Sequence, residues 1–378
     1  MLIDEHGSVP ADIHPLPDLL RRDGAAVLAA FIDNQRRDFV QVLSGLSAPG
    51  SGLRETLSDL NALGAADQTR LHDLFLDLHR HVMAHPVWLH PFFLRVFEGR
   101  ITPAQVKVFA TQYFNQIKNT RQCVALAIGR FHGLSALSGS HRGQRLSELT
   151  QIALAQLVAD EYGVGSHGLD DYPELGRLLA SKTHMVMYRQ LFDGLGIPAE
   201  AQDVPMIPEV ADNVLIQRLV AGHPAFSPLE ALASVGLGME WGVPEFFSLL
   251  LGGLIRVSER DGLGLTPRHL EVFIAHVRYD VLHAISVMLV TSLHMGGDHD
   301  RQVVKNACNM LMAGRTAMMG GLYRTVFEEA CPDVVLAPPY GVSDPRIVQA
   351  LLEARASIAP ECVVGGNAYG RSTTTPFT

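Results

Sequence analysis

Apolar residues recur at helical spacing along most of this chain. Thr102-Pro103-Ala104-Gln105 is a capping box with proline at the first helical position. It opens the run Val106, Phe109, Tyr113, Ile117, Ala125 and Ile128. Ser227-Pro228-Leu229-Glu230 repeats that start signal, and Thr266-Pro267 opens a third long pattern. Alternating β-branched runs bounded by turns hardly occur; Val334-Val335-Leu336 is the best of them and is short. The pattern predicts an all-α fold, a multi-helical bundle of about seven core helices around one cavity. Helices are also expected over 17–46 and 52–84, with a Gly/Ser/Pro break at 44–52. Residues 132–144 and 163–176 read as Gly-rich loops. Past about 331 the composition shifts to Pro, Gly and Thr, which predicts a mostly irregular tail with one short helix near 344–356. These readings divide the chain into an N-terminal helical extension (1–84), a core domain (85–325) and a tail (326–378).

The helix after Thr266 carries His-Val-Arg-Tyr-Asp-Val-Leu-His. His276, Asp280 and His283 stand at i, i+4 and i+7, within an arc of about 60° on an α-helix. Their neighbours on that stripe, Phe273, Ala284, Ile285 and Val287, are apolar, so the stripe points inward. Buried charge is costly unless it is paired or ligates a metal. Imidazole plus carboxylate is the ligand set of non-haem iron, manganese or zinc. The competing reading is a core histidine pair satisfied by one aspartate.

Composition narrows the function classes. The chain has 378 residues, 47% hydrophobic and 18% charged, enough for one large core. A net charge of −9 argues against a nucleic-acid partner, because phosphate neutralisation needs a basic face. Cys123, Cys308, Cys331 and Cys362 are scattered without C-x-x-C spacing, so neither a zinc knuckle nor a disulfide framework is expected. Reduced thiols and an acidic, proline-bearing start with no leader pattern predict a cytoplasmic protein. The apolar stretch Phe246–Ile255 is too short to span a bilayer, so no membrane partner is expected.

Further candidate ligands lie upstream. Glu240 stands in a stretch with little other charge, ahead of Gly242 and Pro244, which are expected to kink the helix just after it. Asp160 and Glu161 follow an apolar helix; they are either a solvated C-terminal pair or something more, since acids there oppose the macrodipole. His184 shares a face with Met187, Tyr188 and Leu191 and is either core or ligand.

The order of these motifs resembles a known family. Asp-Glu-Tyr-Gly, a histidine before an amphipathic helix ending Leu-Gly-Ile-Pro, Glu-x-x-Val-Pro, and His-x3-Asp-x2-His resemble the haem-oxygenase-like diiron oxidases. That superfamily also contains pyrroloquinoline-quinone synthase and thiaminase II. The segment 90–102 and Gln112-Tyr113-Phe114 are similar to its first core helices, and the resemblance covers about 85–325. It implies a haem-oxygenase-like helical bundle. It also implies metal ligands at His184, Glu240, His276, Asp280 and His283, with Glu161 as a mobile extra carboxylate. His167 competes with His184 for the imidazole role. Two Fe(II) ions, O2 as co-substrate, an electron donor and a small-molecule substrate such as an amino acid or fatty acid are implied, with a homodimer as a further expectation. N-oxygenation, desaturation and C–C cleavage all fit. One departure stands out: no Asp or Glu occurs between Glu98 and Glu148, where the family supplies a further glutamate. Gln116, Lys118, Asn119 and Gln122 occupy the place. One metal or two therefore stays open, and unequal sites are expected: His184 and His283 with Glu161 in one, Glu240, His276 and Asp280 in the other. Lys118, Arg121 and Arg278 are candidate anchors for a substrate carboxylate. A metal-independent enzyme of the same fold, or a non-catalytic helical interaction protein, are the alternatives.

Overall fold

The structure, a computed structural model, describes residues 64–161 and 183–377 together with shorter pieces between 26 and 60. The expected helix 17–46, the loop 163–176 and His167 fall largely or wholly outside the described residues.

The helices, in order, are α1 (Arg54–Asp59), α2 (Ala65–Met83), α3 (Pro91–Phe97), α4 (Pro103–Ile128), α5 (Ser135–Ser138), α6 (His141–Glu161) and α7 (His184–Leu195). There follow α8 (Pro208–Gly222), α9 (Pro228–Ala233), a π-helical turn at Ser234–Glu240, α10 (Val243–Asp261), α11 (Glu271–His294), α12 (Asp298–Phe327), α13 (Pro345–Ala356) and α14 (Gly366–Tyr369). Among the described residues there is no strand, only an isolated bridge between Met206 and Val363. The fold is all-α. No described helix is long and apolar enough to cross a membrane.

The start signals act as read. Thr102 accepts from Gln105 N while the Gln105 side chain accepts from Thr102 N, and Ser227 and Glu230 do the same. Thr266-Pro267 does not open its helix directly. His269 N donates to Thr266 O and Thr266 N donates to His269 Nδ1, which closes a tight turn, and α11 begins only at Glu271. The 132–144 segment is not all loop: α5 forms within it and α6 starts at His141.

One hydrophobic cluster runs from Leu57 to Leu351, so the core begins before residue 85. Phe75 and Leu78 of α2 are buried in it beside Trp241, whose indole donates to His79 Nδ1 at 3.1 Å. α8 packs on α12 and α4, while α11 is flanked by α10, α6, α7 and the π turn. Phe92, Phe93, Phe109, Tyr113, Phe246 and Phe247 interlock edge-to-face or tilted. Each such buried ring is worth about 2–3 kcal/mol.

The tail is tied down. Ile347 and Leu351 of α13 are fully buried, and Arg355 grips Asp212 of α8 through two bonds of 2.7 and 2.5 Å. Arg355 also donates to the carbonyls of Ser372 and Thr374, while Tyr369 donates to Asp212 at 2.8 Å.

Candidate metal centre

Four elements converge on one buried point. Glu161 is the last residue of α6, His184 the first of α7, Glu240 the last of the π turn, and His276, Asp280 and His283 lie along α11. Thr183 caps α7 by accepting from Val186 N, which places His184 at the head of the helix.

Two glycines set the position of Glu240. A Cβ at Gly236 would collide with Val287 of α11, and one at Gly238 with Leu311 of α12. The π turn therefore lies tight between those two helices. A Cβ at Gly242 would run into the Trp88 ring, so the chain can break there and restart at Val243 with Pro244 in the first turn. The kink after Glu240 is seen as expected. The π geometry before it was not expected; it adds a residue to the turn and re-aims the side chain, a habit of functional sites.

The six residues form two sets. Ligand atoms of Glu161, His184 and His276 lie within 4.8 Å of one another, and so do those of Glu240, Asp280 and His283. His184 Nδ1 is 3.0 Å from Glu161 Oε2. Asp280 stands between the sets, with Oδ2 3.8 Å from His276 Nε2 and Oδ1 3.5 Å from His283 Nδ1. This corrects the expected partition, in which the two α11 histidines were exchanged. Seven residues put His276 and His283 about 10 Å apart along the axis. The first reaches the α6–α7 end, and the second reaches the π turn.

Hydrogen bonds orient the rings. His276 Nδ1–H donates to Val272 O at 2.6 Å, which leaves Nε2 as its free donor atom. Phe247 stacks on the His276 ring at 4.4 Å, and His184 lies 4.3 Å from it on centroids.

The electrostatics follow from crowding charge in a dry place. Burial, with Asp280 and Glu161 nearby, pushes Glu240 up to about 8. Burial opposes charge on His184, but Glu161's charge and hydrogen bond, helped by Asp280 and Glu240, hold it up at about 9. Glu161 and Asp280 are kept below the carboxylate range because neighbouring histidines outweigh their burial. Burial lowers His276. Three carboxylates and three imidazoles, with protons retained on His184 and Glu240 at neutral pH, make a donor set that a divalent cation could enter by displacing those protons. The residues fit one ion per set, with Asp280 placed to serve both.

A cavity of about 30 Å³ opens beside the cluster, lined by Glu161, Glu240, His276 and Asp280, by Tyr113, Gln116, Ile117 and Thr120 of α4, and by Met239, Val243, Phe246, Phe247 and Arg315. As the sequence indicated, α4 brings no carboxylate. Gln116 does not stand in for one: its amide donates to Gln217 at 2.8 Å and accepts from Asn213 at 2.6 Å. Asn119 donates to Gln217, and Gln122 accepts from Arg218.

The expected anchors do not gather here. Lys118 pairs with Asp203 at 2.7 Å and sits over the Phe114 ring, away from the cavity, and Arg121 does not line it either. Arg278 lies on α11, but its side chain is outside the described residues. The cation that does line the cavity is Arg315. It had a signal: it is the sole charge between Lys305 and Arg324, on a helix otherwise rich in Met, Ala and Gly. The same isolation had singled out Glu240.

No protein-family model matches this sequence, and no curated protein does. Among solved structures, the fold is similar to that of a TenA homolog from Pseudomonas syringae pv. tomato, with 12% identity and a TM-score of 0.45, over 71% of this chain and 96% of that one.

Proposed function

We propose that the chain is a non-haem, iron-dependent enzyme of haem-oxygenase-like type that uses O2 to oxidise a small molecule. The observation that carries this reading is the pair of three-residue donor sets, with Asp280 of the second set lying 3.8 Å from His276 of the first. Imidazole and carboxylate donors suit Fe(II), and three protein donors per ion leave open positions. Bound iron would supply the electrons and the coordination sites that O2 reduction needs.

The chain's own residues do the rest. Val272 O holds the His276 ring so that Nε2 faces the cluster. Glu161 accepts from His184 Nδ1 and keeps a proton there until an ion replaces it. Phe246, Phe247, Met239 and Val243 exclude bulk water from the cavity, which strengthens every charge interaction inside.

The test is anaerobic Fe(II) titration with metal analysis, followed by rapid mixing with O2 and optical detection. Two equivalents of Fe(II), lost together in Asp280 variants, and an O2-dependent absorbance change are expected. A protein that takes up no iron at neutral pH would instead favour a metal-independent enzyme of the same helical build.

A further inference from the structure

α12 separates two cavities. Arg315 lines the small one beside the donor sets, and the next residue, Thr316, lines a second of about 470 Å³. Ala313, Ala317, Gly320 and Arg324 belong to the same second face. Parts of the segment 331–342 and Pro376-Phe377 close the far side. Those walls are tied down: Asn309 donates to Pro339 O at 2.9 Å, and Arg355 donates to the carbonyls of Ser372 and Thr374 at 3.2 and 2.8 Å. A space of this size is in the range of small-molecule sites.

One fixed donor faces this cavity. His90 is 1% exposed, and its Nδ1 accepts from Phe92 N at 3.1 Å. Burial and the nearby Arg324 charge hold His90 down at about 4, so the ring is neutral at pH 7 and its one proton is on Nε2. The partner that the described residues offer Nε2–H is the Cys331 sulfur, a weak acceptor 4.0 Å away. Buried ring donors normally find a better one.

Gly320 shows where that better acceptor belongs. Gly314 and Gly321 of α12 are crowded by α8, since a Cβ would lie 3.0 Å from Ile216 in the first case and 2.7 Å from Glu209 in the second. Gly320 has no such cause. A Cβ there would fit, with Arg324 Nη1 at 3.6 Å and His90 Nε2 at 3.9 Å as its nearest neighbours. Glycine inside a helix weakens it relative to alanine, so an uncrowded one leaves a gap at a cost. Two nitrogen donors from different elements converge on this gap. Arg324 bonds Glu209 through Nη2, and Nη1 has no partner among the described residues.

We propose that this second cavity binds an uncharged carbonyl compound with an apolar body, a ketone, ester or amide, whose oxygen sits over Gly320 between His90 Nε2–H and Arg324 Nη1. Two observations set the class. The charged lining residues are Arg324, which is already paired with Glu209, and Asp333. They leave one negative charge in excess, which disfavours an anion at the two donors. The other polar lining groups are spent as donors, Thr316 to Met312 O at 2.8 Å and Cys331 to Pro332 O at 3.4 Å. The rest of the wall, with Val334, Leu336, Val342 and Phe377, suits an apolar body. The site is separate from the donor sets, so it stands or falls independently of the oxygenase reading.

The experiment uses the full chain with its histidine rings labelled with nitrogen-15. N-butylacetamide, hexanoate and heptylammonium, probes of equal size and different charge, are titrated by NMR and by thermal shift. The His90 signals, assigned by their loss in His90→Asn, should show the proton on Nε2, and N-butylacetamide should shift them saturably. Hexanoate and heptylammonium should act there at least tenfold more weakly. Gly320→Ala should melt at or above the wild-type temperature yet lose N-butylacetamide at least tenfold, because the methyl takes the place of the oxygen. His90→Asn keeps an acceptor for Phe92 N and removes the ring donor, and should weaken the amide about tenfold. The proposal is overturned if the proton is on Nδ1, if N-butylacetamide leaves His90 unshifted, or if either charged probe matches it there. Wild-type amide affinity in Gly320→Ala also overturns it; should that variant not fold, the same result in His90→Asn decides.

Discussion

Asp280→Asn is the most informative single change, because Asp280 lies between a histidine of each donor set. Its two carboxylate oxygens lie 3.8 Å from His276 Nε2 and 3.5 Å from His283 Nδ1. An ion held by either set would therefore lie close to this charge. At an effective dielectric of about 20, a unit charge about 4 Å from a divalent ion contributes roughly 8 kcal/mol before desolvation. If desolvation and the neutral amide oxygen recover about half, roughly 4 kcal/mol is lost at each position, about a thousandfold in dissociation constant. The substitution keeps the shape, and it also removes one cause of Glu240's raised pKa, so the metal-free fold should melt within about 1 kcal/mol of wild type. The assay is anaerobic Fe(II) or Zn(II) calorimetry alongside Glu161→Gln and Glu240→Gln. Each glutamate variant should lose one equivalent, and Asp280→Asn should lose both. If Asp280→Asn retains one equivalent at wild-type affinity, the two sets do not share it.

Three further outcomes are expected. Gly242→Ala forces a methyl into the buried Trp88 ring and should cost about 1–3 kcal/mol in urea unfolding, with weaker metal binding at Glu240, which stands two residues earlier. Asp212→Ala strands the buried Arg355 charge and removes the acceptor of Tyr369; it should cost about 3–5 kcal/mol and make the C-terminal tail sensitive to limited proteolysis, with near-wild-type cleavage refuting the clamp. Acid should destabilise the fold through neutral buried histidines. Burial, with nearby positive charge in the first two cases, pulls His85 down to about 3, His90 to about 4 and His294 to about 4. An unfolded histidine takes up its proton near pH 6.5, so the unfolded state binds more protons between there and about pH 4. Stability is full above about pH 6.5 and falls as pH drops toward 4, by about 1.4 kcal/mol for each pH unit and histidine involved. His85 and His90 also accept backbone N–H groups at Nδ1, and protonation would remove both caps. A flat denaturation midpoint from pH 7 to pH 5 would contradict this.

The local rules were legible along the chain. Capping boxes at Thr102 and Ser227 start helices where they stand, because the bonds that make them span three residues. The stripe of His276, Asp280 and His283 faces inward because helical periodicity is itself local. The absence of a carboxylate on α4 could likewise be read from composition alone. Signals that depend on competing neighbours were less secure. Thr266-Pro267 resembled a helix start, yet the His269 ring takes the backbone N–H of Thr266 and closes a turn instead.

What only tertiary structure decided is which side chains meet. The two α11 histidines are alike by spacing, and their assignment to separate sets depends on where the ends of α6, α7 and the π turn arrive. The π turn depends on Gly236 and Gly238 meeting Val287 and Leu311, contacts between segments distant in sequence. Lys118 and Arg315 are both cations on long helices. Packing sends one outward to Asp203 and buries the other beside the cavity. Periodicity tells which face of a helix is apolar; it does not tell which partner covers that face. Long-range packing settles that by burying the largest total apolar area, and the positions of the few charges caught inside follow from it.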